Sequence, residues 1–150
     1  MKQIMIFFLA MASLLAFAPS SAFATATTLA VQEFSDSGVA TTNNAADTGN
    51  GNRYLNRDEN IFLLLQNSHA TNASTVTITA QTTSKYVPGL GTVSRADISV
   101  ALSAGDIKIV GPLPRAIFND ASEYVSMTFS GTGTVKVSPF KGKGLSRGPN

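Results

Sequence analysis

The chain has 150 residues, a formal net charge of +2 at pH 7, and neither cysteine nor tryptophan. This length is typical of one domain, and the lack of cysteine excludes disulfide bonds, thiol catalysis and cysteine-ligated zinc. The nearly balanced charge gives no basis for nucleic-acid binding, which requires a concentrated basic face.

The first 24 residues have the three parts of a secretory signal peptide. Lys2 supplies one positive charge, an uncharged apolar run begins at Ile4, and Ala22 and Ala24 are small residues before the expected cleavage site. The apolar run of about 14 residues is shorter than the roughly 20 that span a bilayer. We therefore expect a hydrophobic signal helix, cleavage before Thr25, and a protein that is secreted or on the cell surface, in the periplasm or outside the cell, without membrane contact.

The rest of the chain alternates apolar and polar side chains with a period of two, and turn residues separate the alternating runs. This pattern predicts an all-β domain over residues 25–140. We expect an antiparallel β-sandwich of about seven strands, of jelly-roll or immunoglobulin-like type. The basic, glycine-rich residues 141–150 are expected to form a flexible tail.

A long polar connection follows the first predicted strand, TLAVQEF. It runs from Ser35 to Asp58, and connections of this length are uncommon unless they are functional or disordered. We expect Tyr54 and Leu55 to attach its far end to the core, and Tyr54 is also a candidate contact residue. Asp47, Asn50, Asn52 and Asp58 could ligate calcium in an irregular loop, although the spacing does not fit an EF-hand. The favoured interpretation is a turn, with no metal or cofactor.

The next run, NIFLLLQN, does not alternate. Phe62 and Leu64 lie on one face and three other apolar side chains lie on the opposite face. A strand that is apolar on both faces must be covered on both. We expect the other sheet to cover one face and the long connection, or another protein, to cover the other. Phe62 and Leu64, with Tyr54, are therefore the candidate interaction surface.

Three pairs of neighbouring runs are predicted to form antiparallel hairpins. They are NIFLLLQN with STVTITAQT, ISVAL with IKIV, and YVSMTFSG with VKV. In the second pair, Val100 lies opposite Ile109 and Leu102 lies opposite Ile107, across a four-residue loop of a length that hairpins often use. This register places all the apolar side chains of the pair on one inward face.

The stretch GPLPRAIFND is predicted to be a corner between the two sheets. Its prolines cannot donate to a β-ladder, so they end the preceding strand. Ile117 and Phe118 are expected to close the core at this corner, and Asn119 and Asp120 are turn formers.

Residues that could catalyse a reaction are few. His69 is the one histidine and lies in a predicted loop, while Asp58 and Glu59 are adjacent and would point to opposite faces of a strand. Motifs for serine hydrolases, helical zinc proteases and phosphate-binding loops are missing. We therefore expect a protein that is not an enzyme.

The order of several stretches resembles that in small β-sandwich structural proteins of tailed-phage virions, the head- or tail-associated kind. The stretches are GNRYLN, IFLLLQN, STVTITAQ, LSAGD, GPLPRAIFND and YVSMTFSGTGTVKV. The resemblance implies an assembly role without catalytic residues. The predicted secretory signal is atypical for virion proteins and favours an exported relative of the same fold.

The sequence therefore predicts a secreted structural or assembly protein, such as a surface, filament or virion-like subunit. It would act by self-association or by contact with a protein partner. An alternative is a secreted ligand-binding module, for carbohydrate or adhesion, that uses the long connection with Tyr54 and Tyr86.

Overall fold

The computed structural model describes residues 25–142, except residues 59, 83, 88 and 90. The predicted signal helix and the last eight residues of the predicted tail lie outside the described residues. In the described part, no helix has the length and apolar character needed to cross a bilayer.

The described residues are mostly β-sheet, as predicted. The elements are β1 (Thr27–Leu29), β2 (Gln32–Glu33), β3 (Asn44–Ala45), β4 (Asn52–Leu55), β5 (Ile61–Asn67), β6 (Ser74–Ile78), β7 (Ser84–Val87), β8 (Gly91–Ser94), β9 (Ile98–Leu102), β10 (Ile107–Val110), α1 (Arg115–Phe118), β11 (Tyr124–Gly131) and β12 (Val135–Lys141). β12 ends at Lys141, the first residue of the predicted tail.

The strands form two main sheets and a separate pair. The first sheet has the order β1-β4-β11-β6-β9, and the second has the order β10-β5-β12-β2, with β3 also paired to β12. β7 and β8 pair only with each other among the described strands. The prediction of purely antiparallel sheets is wrong, because β1 runs parallel to β4 and β2 runs parallel to β12.

Inward side chains of the two main sheets share one core. Buried members include Leu63 and Leu65 from β5, Val76 from β6, Val125 from β11 and Val137 from β12. These positions follow the period-two pattern of the sequence, since alternate residues of a strand face the same side. The alternation of the sequence therefore agrees with the buried positions of β5, β6 and the start of β11.

All three predicted hairpins are wrong. The two strands of each predicted pair lie in different sheets; the pairs are β5 and β6, β9 and β10, and β11 and β12. Each connection therefore passes from one sheet to the other instead of turning within a sheet. β9 pairs with β6, and β10 pairs with β5. The Ser103–Asp106 turn is present, with the N–H of Asp106 donating to the carbonyl of Ser103 at 3.1 Å, but it joins the two sheets.

β10 also presents the opposite face from the one predicted. Ile107 and Ile109 are 61% and 69% exposed, while Lys108 takes the inward position opposite Leu65. Lys108 reaches across the open side of the core, where its Nζ donates to the carbonyl of Ala101 on β9 at 2.6 Å. A long side chain with a charged end suits this edge position, because its stem covers apolar surface while its ammonium stays near water.

The corner after β10 is as predicted. The chain leaves the second sheet at Gly111, forms the single turn α1, and enters β11 of the first sheet. Phe118 is fully buried and Ile117 packs against the core at its margin. Asp120 Oδ1 accepts the backbone N–H groups of Ser122 and Tyr124, so it forms the expected turn.

One buried side chain holds three connections together at one end of the molecule. Asn67, at the end of β5, is fully buried. Its amide nitrogen donates to the carbonyls of Asn72, Leu102 and Ser103 at 2.7, 3.3 and 3.1 Å, and its amide oxygen accepts the backbone N–H of His69 and of Thr134, both at 3.1 Å. Those partners lie on the connections β5–β6, β9–β10 and β11–β12, so Asn67 fixes all three sheet crossings relative to one another.

Candidate interaction surface

The outer face of the second sheet carries an apolar row that starts from β5. Phe62 and Leu64 point away from the core and are half-buried. Neighbouring strands extend the row, since Ile109 of β10 lies opposite Leu64 and Phe140 of β12 lies opposite Phe62. The register therefore brings together apolar side chains from three strands that are distant in sequence.

The long connection covers part of this face. The sequence predicted this connection or another protein as the cover. Phe34, the residue just before the connection, stacks on Phe140 with ring centroids 5.3 Å apart and an interplanar angle of 9°. The hydroxyl of Ser138 donates to the carbonyl of Thr42 at 3.0 Å and also contacts the amide oxygen of Asn43. Gln32 exchanges two hydrogen bonds with the backbone of Thr42, which holds the connection against the sheet.

An open groove of about 480 Å³ remains between this connection and the sheet, and we call it the outer groove. It is lined by Phe34, Val39, Thr41, Phe62, Leu64, Ile109 and Phe140. Thr41 supplies the one hydroxyl of this lining, and no lining residue is ionisable. The outer groove can therefore bury apolar surface of another molecule, and its lining places no ionisable acid or base beside the Thr41 hydroxyl.

Two of the three predicted contact residues, Phe62 and Leu64, lie in the outer groove. The prediction that Tyr54 contacts a partner is wrong, because Tyr54 is fully buried between the two sheets. The even-numbered positions of β4 face inward, so Tyr54 follows the alternation of its strand. Its prediction as a core attachment for the long connection is confirmed.

The sequence reasoning missed Phe34, Val39, Ile109 and Phe140 as members of the groove. Phe34 and Phe140 lie at the ends of apolar runs, and neither run is apolar on both faces in the way that identified Phe62 and Leu64. Ile109 was placed on the inward face because β10 was paired with β9. Only the pairing of β10 and β12 with β5 places these residues beside Phe62 and Leu64.

The Tyr54 phenol is a polar group inside the core. Its hydroxyl makes no hydrogen bond to the residues that the structure describes, and burial raises the pKa of Tyr54 well above its usual value. A buried hydroxyl without a partner destabilises the folded state, because its hydration is lost without replacement.

The Tyr54→Phe variant is expected to be more stable than the wild type by about 1 to 2 kcal/mol. The pKa of this group is higher in the folded than in the unfolded chain, where it is about 10. Wild-type stability therefore falls as pH rises above about 10, because only the unfolded chain ionises there, and the advantage of the variant grows. Urea unfolding at pH 7 and pH 10.5 measures both effects.

The control for this variant is Tyr86→Phe, because Tyr86 is 70% exposed. Its change in stability is expected to stay within about 0.5 kcal/mol. A loss of stability in Tyr54→Phe would show that the hydroxyl has a partner in the folded protein.

His69, the residue considered for catalysis, has a local structural contact. Its Nδ1 accepts the backbone N–H groups of Thr71 and Asn72 at 3.2 and 3.0 Å. A nitrogen that accepts these bonds is not free to act as a general base at the same time. Asp58 lies 3.5 Å from Lys141, and Glu59 lies outside the described residues.

The Asp47 loop, considered for calcium, is a hydrogen-bonded turn. The carboxylate of Asp47 accepts backbone N–H groups from Gly49 and Asn50 and the hydroxyl of Thr27. These donors lower the pKa of Asp47, with the backbone of Asn50 as the largest cause. In the described part of the chain, no group of three or more acidic or histidine side chains is arranged to hold a metal ion.

Exposed ion pairs connect the N-terminal strands to the rest of the domain. Lys141 lies 3.6 Å from Glu33 and 3.5 Å from Asp58, and the two carboxylates, Glu33 first, raise the pKa of Lys141. Glu123 pairs with Arg57 at 2.8 Å and with Arg115 at 2.5 Å. Partly exposed pairs of this kind contribute little to stability.

Comparisons with known proteins find no matching family model, no matching curated protein and no matching solved structure.

Proposed function

We propose that the protein is a secreted, non-enzymatic structural subunit that acts through protein–protein contacts at the outer groove. One observation carries this proposal: an uncharged apolar groove continues into Ile109 and Ile107, two isoleucines that are mostly exposed to water. Phe34, at 48% exposed, forms the opposite wall.

The energetics favour contact with another protein. Burying apolar surface contributes about 25 cal/mol per Å², and contiguous exposed apolar patches commonly mark interaction sites. The lining of the outer groove has no ionisable side chain, so covering it with an apolar partner leaves no charge unpaired.

The strand order supports a jelly-roll architecture for the domain. With β4 to β11 counted as eight successive strands, the first sheet contains the first, eighth, third and sixth in that order, as in a jelly roll. The second and seventh, β5 and β10, are neighbours, and the fourth and fifth, β7 and β8, pair with each other. The departures are the separate position of β7 and β8 and the additional strands β1, β2, β3 and β12.

The jelly roll is common among viral capsid proteins, which agrees with the resemblance to tailed-phage virion proteins. The secretory signal favours an exported relative that assembles at a surface or in a filament. The alternative, a carbohydrate module, has less support, because sugar hydroxyls require several polar partners and the groove lining offers only Thr41. Non-enzymatic action is supported by the occupied Nδ1 of His69 and by the ion-paired carboxylates.

Light scattering of the purified protein from about 10 µM to 1 mM tests the proposal, over the range that weak assembly contacts occupy. The mass is expected to rise above that of a monomer with concentration. The double variant Phe34→Ser with Ile109→Thr is expected to stay monomeric, because it removes both walls of the outer groove.

The matched control is Tyr86→Ser, which removes an exposed aromatic outside the groove. It is expected to associate like the wild type. Mass spectrometry of the same preparation is expected to give Thr25 as the first residue. A wild type that stays strictly monomeric over the whole range would overturn the proposed function.

A further inference from the structure

β10 is the edge strand of the second sheet, and its free side exposes backbone groups. Its partner on the other side is β5, and no described strand pairs with its outer side. The N–H of Asn67 donates to the carbonyl of Asp106 at 2.9 Å. Residues of an antiparallel strand alternate in which neighbour their backbone groups face. Lys108 and Val110 therefore bond towards β5, and the N–H and C=O of Ile107 and Ile109 face the free edge.

The side chains of the same two residues are exposed on the outer face. Ile107 and Ile109 are 61% and 69% exposed, and Ile109 forms one wall of the outer groove. An exposed apolar edge strand is a template for pairing with another chain. Lys108 on the same strand is the one described charge that opposes pairing at this edge, and its side chain is directed away from the outer face to the carbonyl of Ala101.

We infer that two copies of this chain associate by antiparallel pairing of their β10 strands about a two-fold axis, which joins their second sheets into one. This inference rests on the proposed function and names the partner at that surface. A two-fold axis perpendicular to the sheet places the outer faces of both copies on the same side. Odd-numbered residues of one β10 strand must therefore lie opposite odd-numbered residues of the other, and even-numbered opposite even-numbered. Ile107 then lies opposite Ile109 of the second copy, and Lys108 lies opposite Lys108 of the second copy.

This register satisfies every backbone group that faces the free edge. The N–H and C=O of both isoleucines form four hydrogen bonds with the same groups of the second copy. The four isoleucines form one apolar strip that continues the two outer grooves. A shift of two residues would place Ile109 opposite Gly105, whose N–H already donates to the carbonyl of Asn67, so it would form fewer bonds.

The small contact area and the like charges at Lys108 limit the affinity of this dimer. Two short edge strands and four isoleucines bury on the order of 1,000 Å², below the roughly 1,600 Å² of a standard interface. The like charges at Lys108 also oppose each other, although the carboxylate of Asp106 lies 3.6 Å from each ammonium in its own copy. The contact is therefore expected to be weak and reversible.

Disulfide cross-linking tests the register, because the natural chain has no cysteine. In the Lys108→Cys variant, two introduced sulfurs face each other across a non-hydrogen-bonded pair, where opposite Cα atoms are about 4.5 Å apart and within disulfide reach. Under mild oxidation this variant is expected to form a covalent dimer at least about tenfold faster than Ser99→Cys at equal concentration. Ser99 is exposed on β9, the edge of the first sheet, and is the matched control.

A second pair of variants tests the backbone bonds. Ile109→Pro removes an N–H that faces the free edge and leaves the bonds to β5 intact, as edge strands tolerate. Relative to Ile109→Ala, it is expected to weaken dimerisation by at least about tenfold, because two hydrogen bonds are lost per dimer. Circular dichroism confirms that both variants are folded.

The outcomes separate this inference from the proposed function. If the wild type associates but Lys108→Cys links no faster than Ser99→Cys, the edge pairing is wrong while contact through the outer groove stands. The same holds if Ile109→Pro and Ile109→Ala dimerise equally, as expected if the β7–β8 pair of the same chain covers the edge. A wild type that never associates overturns both proposals.

Discussion

Replacing Asn67 by leucine is expected to lower the free energy of unfolding by about 3 to 5 kcal/mol. The two side chains are similar in size, so the effect comes from lost hydrogen bonds rather than from a cavity. Five bonds of the Asn67 amide disappear, and the carbonyl of Leu102 and its neighbours lose a buried donor. Urea unfolding of both proteins measures the change.

The Asn67→Asp variant distinguishes this explanation from simple loss of packing. Its second oxygen would face three carbonyls, so the folded state favours the protonated acid and raises its pKa above the unfolded value of about 3.9. The variant is therefore expected to be closest to wild type below pH 4 and to lose stability as pH rises towards 7. A penalty that does not vary with pH would contradict the carbonyl cluster.

The control for Asn67 is Asn43→Leu. Asn43 is exposed on the long connection, and its amide oxygen makes one contact, with Ser138 Oγ at 3.0 Å. Loss of one partly buried hydrogen bond is expected to cost about 1 kcal/mol or less.

The Gly51→Ala variant is expected to lose about 3 to 5 kcal/mol of stability. Gly51 precedes β4 with φ of +78°, in the left-handed region that side chains disfavour. A Cβ there would lie 2.5 Å from the carbonyl oxygen of Met127, which belongs to the backbone of β11 and cannot rotate away. The β4–β11 pair would have to separate, and thermal unfolding would detect this.

Gly105 provides a matched control. Its φ is also +78°, but an added Cβ would meet nothing within 4 Å. The Gly105→Ala variant is therefore expected to lose only the backbone term, about 1 to 2 kcal/mol. Equal losses in the two variants would show that the contact with Met127 adds nothing.

The faces of most strands could be predicted from the sequence, but the pairing of the strands could not. Alternation identifies which side chains are buried, as at Val76 and Val125, because burial acts on each residue separately. It does not identify the sheet in which the next strand lies. A four-residue connection such as Ser103–Asp106 fits a hairpin and a crossing between sheets equally well, and the choice depends on distant partners such as Asn67.

The same distinction explains the partial success at the candidate site. Phe62 and Leu64 were found because their strand is apolar on both faces, which is a local signal. Ile109 was assigned to the wrong face because its orientation depends on pairing with β5, about 45 residues earlier in the sequence. Tyr54 was expected both to attach the long connection to the core and to contact a partner, and only the first holds, because β4 begins two residues before it and Tyr54 faces inward.

The crossing connections affect how the chain reaches its native state. Because successive strands lie in opposite sheets, few strands can find their hydrogen-bonding neighbour locally, and most pairings must close large loops first. Chains with this topology fold in milliseconds to seconds rather than microseconds. The chain is therefore expected to fold slowly, and its edge strands take their final positions only when both sheets have formed.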